Sequence, residues 1–372
     1  MMVCKQIAVS DFRNIERAEV AFSDGVNILI GENAQGKTNL LEAIFYASVG
    51  RSFRATHTNE MIRFGQAAAD ISLDYRDAKR EQNLHVRLFR DRRRLVEKNG
   101  LKMDRMSDIV GSFRAVLFCP EHLSLIKEGP SERRGYLDVA ISRMYPMYIH
   151  SLQRYAYFLK QRNTLIKNAQ NDRTTFEATV ELWSEKLAEE AAIISDMRLR
   201  YIRRAEKHIS ECFSDMTGGA ERPTVSYMGS SGQDEEEYTD KKKVKDRYME
   251  LLMSSHEREI FVGSTLWGIH KDDIEIKING KSARNFGSQG QQRSLALAMK
   301  LAEGEICLEK FGDHPVFLFD DVLSELDENR RDYLINRIKG KQVIMTTCET
   351  ESMEKIDSTK KIEVVSGKYR EI

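Results

Sequence analysis

The chain has 372 residues, of which 41% are hydrophobic and 31% charged, a balance typical of a soluble globular protein with one large domain or two smaller ones. Lysine plus arginine and aspartate plus glutamate both number 58, which excludes a global electrostatic attraction to nucleic acid or acidic lipid, so any DNA contact must come from local patches. The five cysteines form no CxxC pair, nothing at the N-terminus resembles a signal peptide, and no apolar run is long enough for a bilayer. We therefore expect a cytoplasmic protein without a disulfide framework, a zinc site or membrane contact.

The first chemical motif lies between a strand-like apolar run, VNILI, and an apolar-periodic run over residues 40–49. It matches the P-loop pattern and consists of Gly31, Glu32, Asn33, Ala34, Gln35, Gly36, Lys37 and Thr38. The glycines let backbone N–H groups face phosphate oxygens, and a helix beginning near Lys37 adds the positive end of its dipole. We expect Lys37 to reach the β and γ phosphates of a nucleotide and Thr38 to bind Mg²⁺. The alternative is an ordinary glycine-rich turn between a strand and a helix.

The wider pattern divides the chain into three segments. Residues 1–115 are β-rich apart from the P-loop helix, and Asn99-Gly100 predicts a hairpin turn. From residue 120 to about residue 217 the pattern is helical, and apolar residues from Phe176 to Phe213 keep the spacing of one stripe on a long helix or helix pair, which we interpret as core-facing. Strand and hairpin signals then return, and the chain ends in alternating helices and strands.

A second motif opens the segment NFGSQGQQRSLALAMKLAEGE. Ser288, with Gln291 three residues later, predicts a capping box before an apolar-periodic helix. A well-capped helix is one interpretation, and it is compatible with a functional one. A helix start with Gly290 exposing its backbone is also an anion site, where Ser288 could donate to a phosphate.

A third motif is the apolar run PVFLF, which ends in Asp320 and Asp321. This pattern is typical of a central parallel strand buried on both faces. In open α/β sheets ligands lie beyond the carboxyl ends of the strands. One carboxylate could therefore hold Mg²⁺ through its water shell, while the next polarises an attacking water. The alternative is a helix N-terminus rich in acidic residues.

The order of the motifs indicates a family. Ser288-Gln289-Gly290-Gln291 resembles the signature motif of ABC-type ATPases, which completes the nucleotide site of a second subunit. A P-loop, a distant signature, an acidic strand end and the stretch SELD as a D-loop together resemble the SMC-like branch of these ATPases. Within that branch, blocks spread over nearly the whole chain resemble the RecF family, namely residues 11–44, 50–55, 119–138, 288–303 and 317–327.

The resemblance implies a fold and a set of site residues. The expected fold is α/β, an ABC-type ATPase head in which residues 1–119 and 301–372 form the ATPase lobe, while residues 120–300 form an inserted helical lobe with the signature. Residues 31–38 would bind ATP, and Asp320 would hold Mg²⁺ together with Thr38. Asp321 would be the catalytic carboxylate. The signature residues Ser288, Gly290 and Gln291 would act in trans.

Function and partners are likewise implied by the resemblance. A RecF-type protein would bind double-stranded DNA near single-strand gaps in an ATP-dependent manner, as an ATP-dependent homodimer with weak, DNA-stimulated ATPase activity. Its partners would be RecR and RecO in the loading of RecA, with a role in recombinational repair and the SOS response.

Two departures from the common ABC pattern concern hydrolysis. Many ABC ATPases have a glutamate after the magnesium aspartate and a histidine at a later strand end, where this chain has Asp321 and the pair Thr346 and Thr347. The shorter carboxylate and the absent imidazole remove two usual means of positioning water, which puts fast hydrolysis in doubt. The segment around Pro120 and Glu121 is expected to replace the Q-loop.

Two arginine-rich stretches are candidate DNA contacts. One set has helical spacing that would form a basic face, and the other precedes the predicted hairpin. They comprise Arg200, Arg203, Arg204 and Lys207, and Arg90, Arg92, Arg93 and Arg94. On sequence alone, a solvated helix face and a charged hairpin explain them as well.

Two other classes of protein share parts of this pattern. A nucleotide-binding subunit of a transporter would also have the P-loop, the signature and the acidic strand. The absence of the histidine and the presence of the RecF-like blocks count against this class. An SMC-type structural head would need a long heptad-repeat arm between its motifs, and no segment of the chain sustains one.

Overall fold

The computed structural model describes residues 1–233, 237–348 and 360–372, and the chain divides into two compact units. Unit 1 comprises Met1–Leu123, Glu211–Ala220 and Arg293–Ile372, and unit 2 comprises Ser124–Ser210 and Glu221–Gln292. Within the described part of the chain, no helix combines the length and the apolar character needed to cross a membrane.

The secondary structure follows the predicted division into β-rich and helical segments. The strands are β1 (Val3–Phe12), β2 (Ile15–Ala21), β3 (Val26–Ile30), β4 (Ala68–Arg76), β5 (Glu81–Phe89), β6 (Leu95–Lys98), β7 (Leu101–Met103), β8 (Ala115–Phe118), β9 (Pro223–Met228), β10 (Asp273–Ile278), β11 (Lys281–Ser282), β12 (Val316–Asp320), β13 (Val343–Thr347), β14 (Lys360–Val365) and β15 (Lys368–Glu371). The helices are α1 (Lys37–Val49), α2 (Ser124–Lys127), α3 (Pro130–Met144), α4 (Pro146–Asn168), α5 (Arg173–Thr217), α6 (Lys241–Ser254), α7 (His256–Val262), α8 (Ala283–Phe286), α9 (Gln289–Phe311) and α10 (Glu328–Arg337).

Unit 1 contains two six-stranded sheets. One has the order β2-β1-β4-β5-β6-β7 and is antiparallel. Its β6–β7 hairpin turns at Asn99 and Gly100, whose φ angles of 53° and 75° are those that a two-residue turn of this kind requires. The other sheet has the order β15-β14-β3-β13-β12-β8, and β14, β3, β13, β12 and β8 run parallel.

The parallel strands that carry the motifs are buried along their length. β12 and β13 are buried at every position, and β3 at all but its last. Continuous apolar runs of this kind are expected when helices or a second sheet cover both faces. The prediction of a central buried strand ending at Asp320 is therefore confirmed.

Helix α1 lies between the two sheets of unit 1. It contacts β1, β4 and β5 of the antiparallel sheet and β8, β12 and β13 of the parallel sheet, and ten of its 13 residues are buried. A helix buried nearly all round is fixed by packing on every side. The loop that precedes α1 is thus anchored between a central strand and a core helix.

Unit 2 is mainly helical, with a small sheet of order β11-β10-β9. The apolar stripe predicted from Phe176 to Phe213 lies on α5, a single helix of 45 residues. Two buried ion pairs fix the packing of this unit. Arg162 donates to Glu259 over 2.7 Å, both fully buried, and Arg198 donates to the equally buried Asp272 over 3.4 Å. Removing one partner of such a buried pair strongly destabilises a fold, because the other charge is left buried and unpaired.

Candidate functional site

The P-loop forms the turn between β3 and α1, as predicted. Two of its residues adopt the left-handed backbone region, Ala34 with φ of 64° and Gly36 with φ of 114°. Gly31 is required for a different reason, because a Cβ atom there would lie 2.3 Å from the carbonyl oxygen of Val364. A glycine at 31 thus lets β14 approach the loop, and a glycine at 36 lets the chain enter α1.

Lys37 is the first residue of α1, and its side chain turns back across the loop. Its Nζ atom donates to the carbonyl oxygen of Gly31 over 2.5 Å and to that of Glu32 over 2.7 Å. It also lies 3.4 Å from Sγ of Cys348. Since the side chain is only 6% exposed, this ammonium group is held at the mouth of the loop.

Thr38 connects the P-loop to the end of β12. Its Oγ1 donates to Oδ1 of Asp320 over 2.8 Å. The same carboxylate oxygen accepts from Oγ1 of Thr346, at the end of β13, over 2.7 Å. The Thr346 hydroxyl oxygen in turn accepts from the backbone N–H of Asp321 over 2.9 Å. One short chain of hydrogen bonds therefore joins the P-loop threonine to the carboxylate of Asp320 and to the backbone of Asp321.

The two carboxylates differ in environment. Asp320 is 6% exposed, and burial raises its pKa, opposed by the hydrogen bonds from Thr346 and Thr38. Asp321 is half-buried and adopts a φ of 50°, in the left-handed region. A non-glycine residue in this region stores strain that the surrounding structure must maintain, and such residues concentrate at functional sites.

A cavity of about 300 Å³ opens beside this chain of hydrogen bonds. It lies entirely within unit 1 and has a size suited to a small-molecule ligand. It is lined by Asn33, Ala34, Gln35, Gly36, Lys37, Thr38, Asn39, Arg54, Pro120, Glu121, Asp320, Asp321, Thr346 and Cys348. Most of the predicted P-loop residues, both carboxylates and the segment expected to replace the Q-loop thus meet at one cavity. Gly31 and Glu32 contribute instead the carbonyls that hold Lys37.

An arginine pair beside the cavity was not identified from the sequence. Glu42 of α1 is fully buried and accepts from Arg13 and Arg54 over 2.7 Å each. Burial would raise the pKa of Glu42, but the hydrogen bonds from Arg13 and Ser52 and the nearby Arg54 hold it below its usual value. Arg54 also donates to Asn39 over 2.5 Å. The signal available in the sequence is a charged residue within an otherwise apolar helix stretch.

The signature residues lie in unit 2. Ser288 and Gln291 form the predicted capping box, with the N–H of Ser288 donating to Oε1 of Gln291 over 2.7 Å and the N–H of Gln291 donating to Oγ of Ser288 over 3.2 Å. Nε2 of Gln291 donates to Glu221 over 2.5 Å. Ser288 is exposed, and the nearby Phe286 is 72% exposed. These residues do not line the cavity of unit 1.

The two basic clusters differ in how far their charges are engaged. Arg90 donates to the carbonyl oxygens of Ile62, Arg63 and Gln66, and Arg94 donates to Gly50 over 2.9 Å. These two arginines therefore stabilise turns. On α5 the guanidinium of Arg200 pairs with Asp196, and Arg204 donates to Tyr145 over 3.3 Å. The side chains of that cluster are nevertheless exposed. They form one face of the helix, namely Arg200, Arg203, Arg204 and Lys207.

Comparison with known proteins identifies the family. Residues 3–371 match the model of the RecF/RecN/SMC N terminal domain. The chain is 36% identical to the DNA replication and repair protein RecF of Shouchella clausii (strain KSM-K16), covering 95% of this chain and 94% of that protein. It is also similar to solved structures of the recombination mediator protein RecF of the RecFOR pathway. The ATPrS form matches with a TM-score of 0.93, 34% identity and coverage of 100% of this chain and 98% of that one. The ATP form matches with a TM-score of 0.91, 34% identity and coverage of 100% and 99%.

These similarities extend over nearly the full length of both partners and include the segments that build the cavity. They confirm the predicted α/β fold of an ABC-type ATPase head. The chain therefore belongs to the RecF branch of the RecF/RecN/SMC N terminal domain family.

Proposed function

We propose that this chain is an ATP-dependent DNA-binding protein of RecF type, which dimerises on ATP and acts in recombinational repair at single-strand gaps. The observation that carries the proposal is the chain of hydrogen bonds from Thr38 through Asp320 and Thr346 to Asp321, at a cavity that the P-loop lines. Nearly full-length similarity to proteins named for DNA replication and repair supports this function over a transporter subunit.

The residues around the cavity fit ATP with Mg²⁺. The glycines at 31 and 36 leave no room for a Cβ atom without a shift of neighbouring atoms, and Lys37 is a buried cation at the loop mouth. A threonine hydroxyl and an adjacent carboxylate are the hard oxygen ligands that Mg²⁺ prefers. Thr38 and Asp320 would hold the ion, while Lys37 and the loop amides would hold the phosphates. Bound Mg²⁺ would neutralise charge on the phosphate oxygens during transfer.

Hydrolysis is assigned to Asp321, acting slowly. Asp321 directly follows the last residue of β12, its backbone N–H donates to Thr346, and it lines the cavity, where its carboxylate can polarise a water. The pair Thr346 and Thr347 offers hydroxyls where other ABC ATPases have an imidazole at a strand end, and a hydroxyl does not take up a proton near neutral pH. Such a site suits a switch that is stimulated by DNA rather than a metabolic enzyme.

The signature residues act on a second copy of the chain. Ser288 caps helix α9, whose first turn contains Gly290 and Gln291, and the positive end of the helix dipole at this position favours an anion. They would contact the γ-phosphate held by the P-loop of the partner. ATP would therefore bridge two subunits, and ADP, which lacks that phosphate, would not.

DNA and protein partners follow from the family. Double-stranded DNA near single-strand gaps would be the substrate, and the exposed basic face of α5 supplies phosphate contacts without sequence preference. RecR and RecO would be partners in the loading of RecA and in the SOS response. The five cysteines are free, and four of them are buried, as suits a protein of the reducing cytoplasm.

The test is a complementation of two defective variants. Ser288→Arg places a bulky side chain in the proposed interface without touching the chain's own P-loop, whereas Lys37→Ala removes the phosphate-binding cation. Each variant alone is expected to lose ATP-dependent dimerisation and hydrolysis. An equimolar mixture should recover about one working site per mixed dimer, because one subunit keeps an intact P-loop and the other an intact signature.

Sedimentation and ATPase assays with ATP, ADP and gapped DNA provide the readout. Ser254→Arg is the matched control, since Ser254 is an exposed serine of the same unit on helix α6, and it should behave as the unmodified chain. Full activity of Ser288→Arg alone, or a protein that stays monomeric with ATP, would contradict the shared site.

A further inference from the structure

We infer that Asn14, Gly367 and Tyr369 are positioning residues, which orient the phosphate-binding amides of the P-loop by binding its carbonyl groups from the outer side. The inference rests on the proposed function, because it assigns to these residues the geometry of the ATP site. Two of them lie on the hairpin of β14 and β15, more than 300 residues away in sequence.

Three consecutive carbonyl groups of the loop are bound in this way. The oxygen of Ala34 accepts from Nδ2 of Asn14 over 3.1 Å, and the oxygen of Gln35 accepts from the N–H of Gly367 over 2.8 Å. The oxygen of Gly36 accepts from Oη of Tyr369 over 2.9 Å. It also accepts from the N–H of Leu40 over 3.1 Å, the first hydrogen bond of α1.

Because of peptide geometry, these carbonyl contacts also fix the direction of the N–H groups that follow. In a planar trans peptide unit the C=O and N–H bonds point in opposite directions, and the described residues contain no cis peptide bond. Fixing the carbonyls of residues 34, 35 and 36 therefore directs the N–H groups of Gln35, Gly36 and Lys37 to the opposite side. These three residues line the cavity, so the contacts behind the loop define the anion-binding face in front of it.

The hairpin that supplies two of these contacts is itself well fixed. Ser366 and Gly367 form its two-residue turn, and both have positive φ angles, 48° and 74°, as the tightest hairpin turns require. The N–H of Ser366 donates to Oε1 of Gln35 over 2.6 Å. A Cβ atom on Gly367 would lie 3.1 Å from the carbonyl oxygen of Asn14. The hairpin turn and the β1–β2 turn thus meet behind the P-loop and hold it jointly.

Such support is needed because the loop conformation is strained. Ala34 is a non-glycine residue with φ of 64°, a conformation that is unfavourable for a residue with a Cβ atom. The outer contacts stabilise this conformation before the ligand binds, so that less of the binding free energy is needed to form it. Removing one contact should therefore weaken phosphate binding while leaving the fold intact.

The test uses Tyr369→Phe, which keeps the ring and removes only the hydroxyl that binds Gly36. Since one hydrogen bond contributes on the order of a few-fold to an equilibrium constant, the dissociation constant for MgATP should rise about five-fold. The melting temperature should change little. Asn14→Ala should raise the same constant by a similar factor, because it releases the neighbouring carbonyl.

Tyr148→Phe is the control for general destabilisation. The hydroxyl of Tyr148 donates to Asp138 over 2.7 Å and accepts from Arg198 in the interior of unit 2. Its removal should lower the melting temperature without changing MgATP affinity. Hydrogen exchange gives a second readout, since Tyr369→Phe should speed exchange in the peptide that spans residues 31–40 and not throughout unit 1.

The outcomes separate the inference from the proposed function. If the unmodified chain failed to bind MgATP, the proposed function would fall. If the unmodified chain bound MgATP, and Tyr369→Phe and Asn14→Ala bound it equally well with unchanged exchange, the positioning role alone would be overturned. Weaker MgATP binding together with faster exchange confined to the loop would establish it.

Discussion

Asp320→Asn tests the metal site with a change of charge and almost no change of shape. Oδ1 of Asp320 accepts from Thr38 and Thr346, and an amide oxygen in the same position can accept both hydrogen bonds. The variant therefore keeps the connection between β12, β13 and the P-loop. It removes the negative charge that is proposed to hold Mg²⁺ through its water shell.

The magnitudes follow from burial. Two charge-assisted hydrogen bonds become neutral ones, which costs about 1 kcal/mol each. The variant also avoids burying a carboxylate that is 6% exposed, and the penalty for such burial is on the order of several kcal/mol. We therefore expect the free energy of unfolding to stay the same or to rise by about 2 kcal/mol. Affinity for Mg²⁺ in the presence of ATP should fall about 10- to 100-fold, as for outer-shell groups in other metal sites.

Chemical denaturation and magnesium titrations of a fluorescent ATP analogue give both quantities. Denaturation is done without nucleotide and metal, so that binding does not contribute to stability. Asp321→Asn serves as the comparison, because it changes the charge of the neighbouring residue and is expected to leave magnesium-dependent binding intact. A loss of more than about 2 kcal/mol in Asp320→Asn would refute the reasoning about burial, and equal magnesium affinity in both variants would refute the assignment of the ligand.

Four further predictions follow from the same structure. Lys37→Ala should lose most ATP affinity in equilibrium binding, because it deletes a cation aimed at the phosphates and charge-assisted contacts are individually strong; unchanged affinity would end the P-loop assignment. Asp321→Asn should bind ATP normally, hydrolyse it much more slowly and accumulate as a dimer in sedimentation, and normal turnover would remove its catalytic role. Phe286→Ala should weaken ATP-dependent dimerisation and leave monomer ATP affinity unchanged, since this 72% exposed ring lies beside the signature, whereas Phe64→Ala, which removes a 99% exposed ring elsewhere, should change neither. Burial lowers the pKa of His270 to about 4, so the folded state favours the neutral imidazole. The free energy of unfolding should therefore be highest above pH 6.5 and should fall by about 3 kcal/mol as the pH falls towards 4, because the unfolded chain takes up a proton first. His270→Gln should show correspondingly less pH dependence in denaturation midpoints between pH 7 and pH 4.

Local patterns in the sequence were sufficient for the elements that carry the motifs. The strand before Gly31, the helix from Lys37, the capping box at Ser288 and the buried strand ending at Asp320 each depend on residues within a few positions of one another. Turn chemistry, helix capping and apolar periodicity act over that range, so that single stretches of sequence determine them.

Contacts between distant segments were not predictable in the same way. Asn14 lies 20 residues from the carbonyl it binds, and Tyr369 lies 333 residues from Gly36. The Tyr369 contact depends on the pairing of β14 with β3, and the Asn14 contact depends on where the β1–β2 turn lies beside the P-loop. Neither arrangement is encoded in a single stretch of sequence. Thr346 shows the same limit, since the sequence placed the pair Thr346 and Thr347 where other ABC ATPases have a histidine, but not the Thr346 hydroxyl between the carboxylate of Asp320 and the backbone N–H of Asp321.

Charge patterns were the least informative part of the sequence. Nothing in the sequence favours one of the four arginines before the β6–β7 hairpin over another as a DNA contact. In the structure, Arg90 and Arg94 donate to backbone carbonyls of neighbouring turns. A guanidinium group carries five donors and can satisfy a folded turn as readily as a phosphate. Only the three-dimensional positions of the acceptors distinguish these two uses.

The left-handed backbone of Asp321 has a consequence for how this ATPase can change. Aspartate tolerates a φ of 50° better than most residues with a Cβ atom, because its short polar side chain can bond to the nearby backbone. A glutamate would bring the longer carboxylate found in many ABC ATPases, but it would have to adopt a conformation for which it is poorly suited. If Asp321 is the catalytic carboxylate, as proposed, a longer carboxylate could serve at this position only after the backbone that follows β12 is rebuilt.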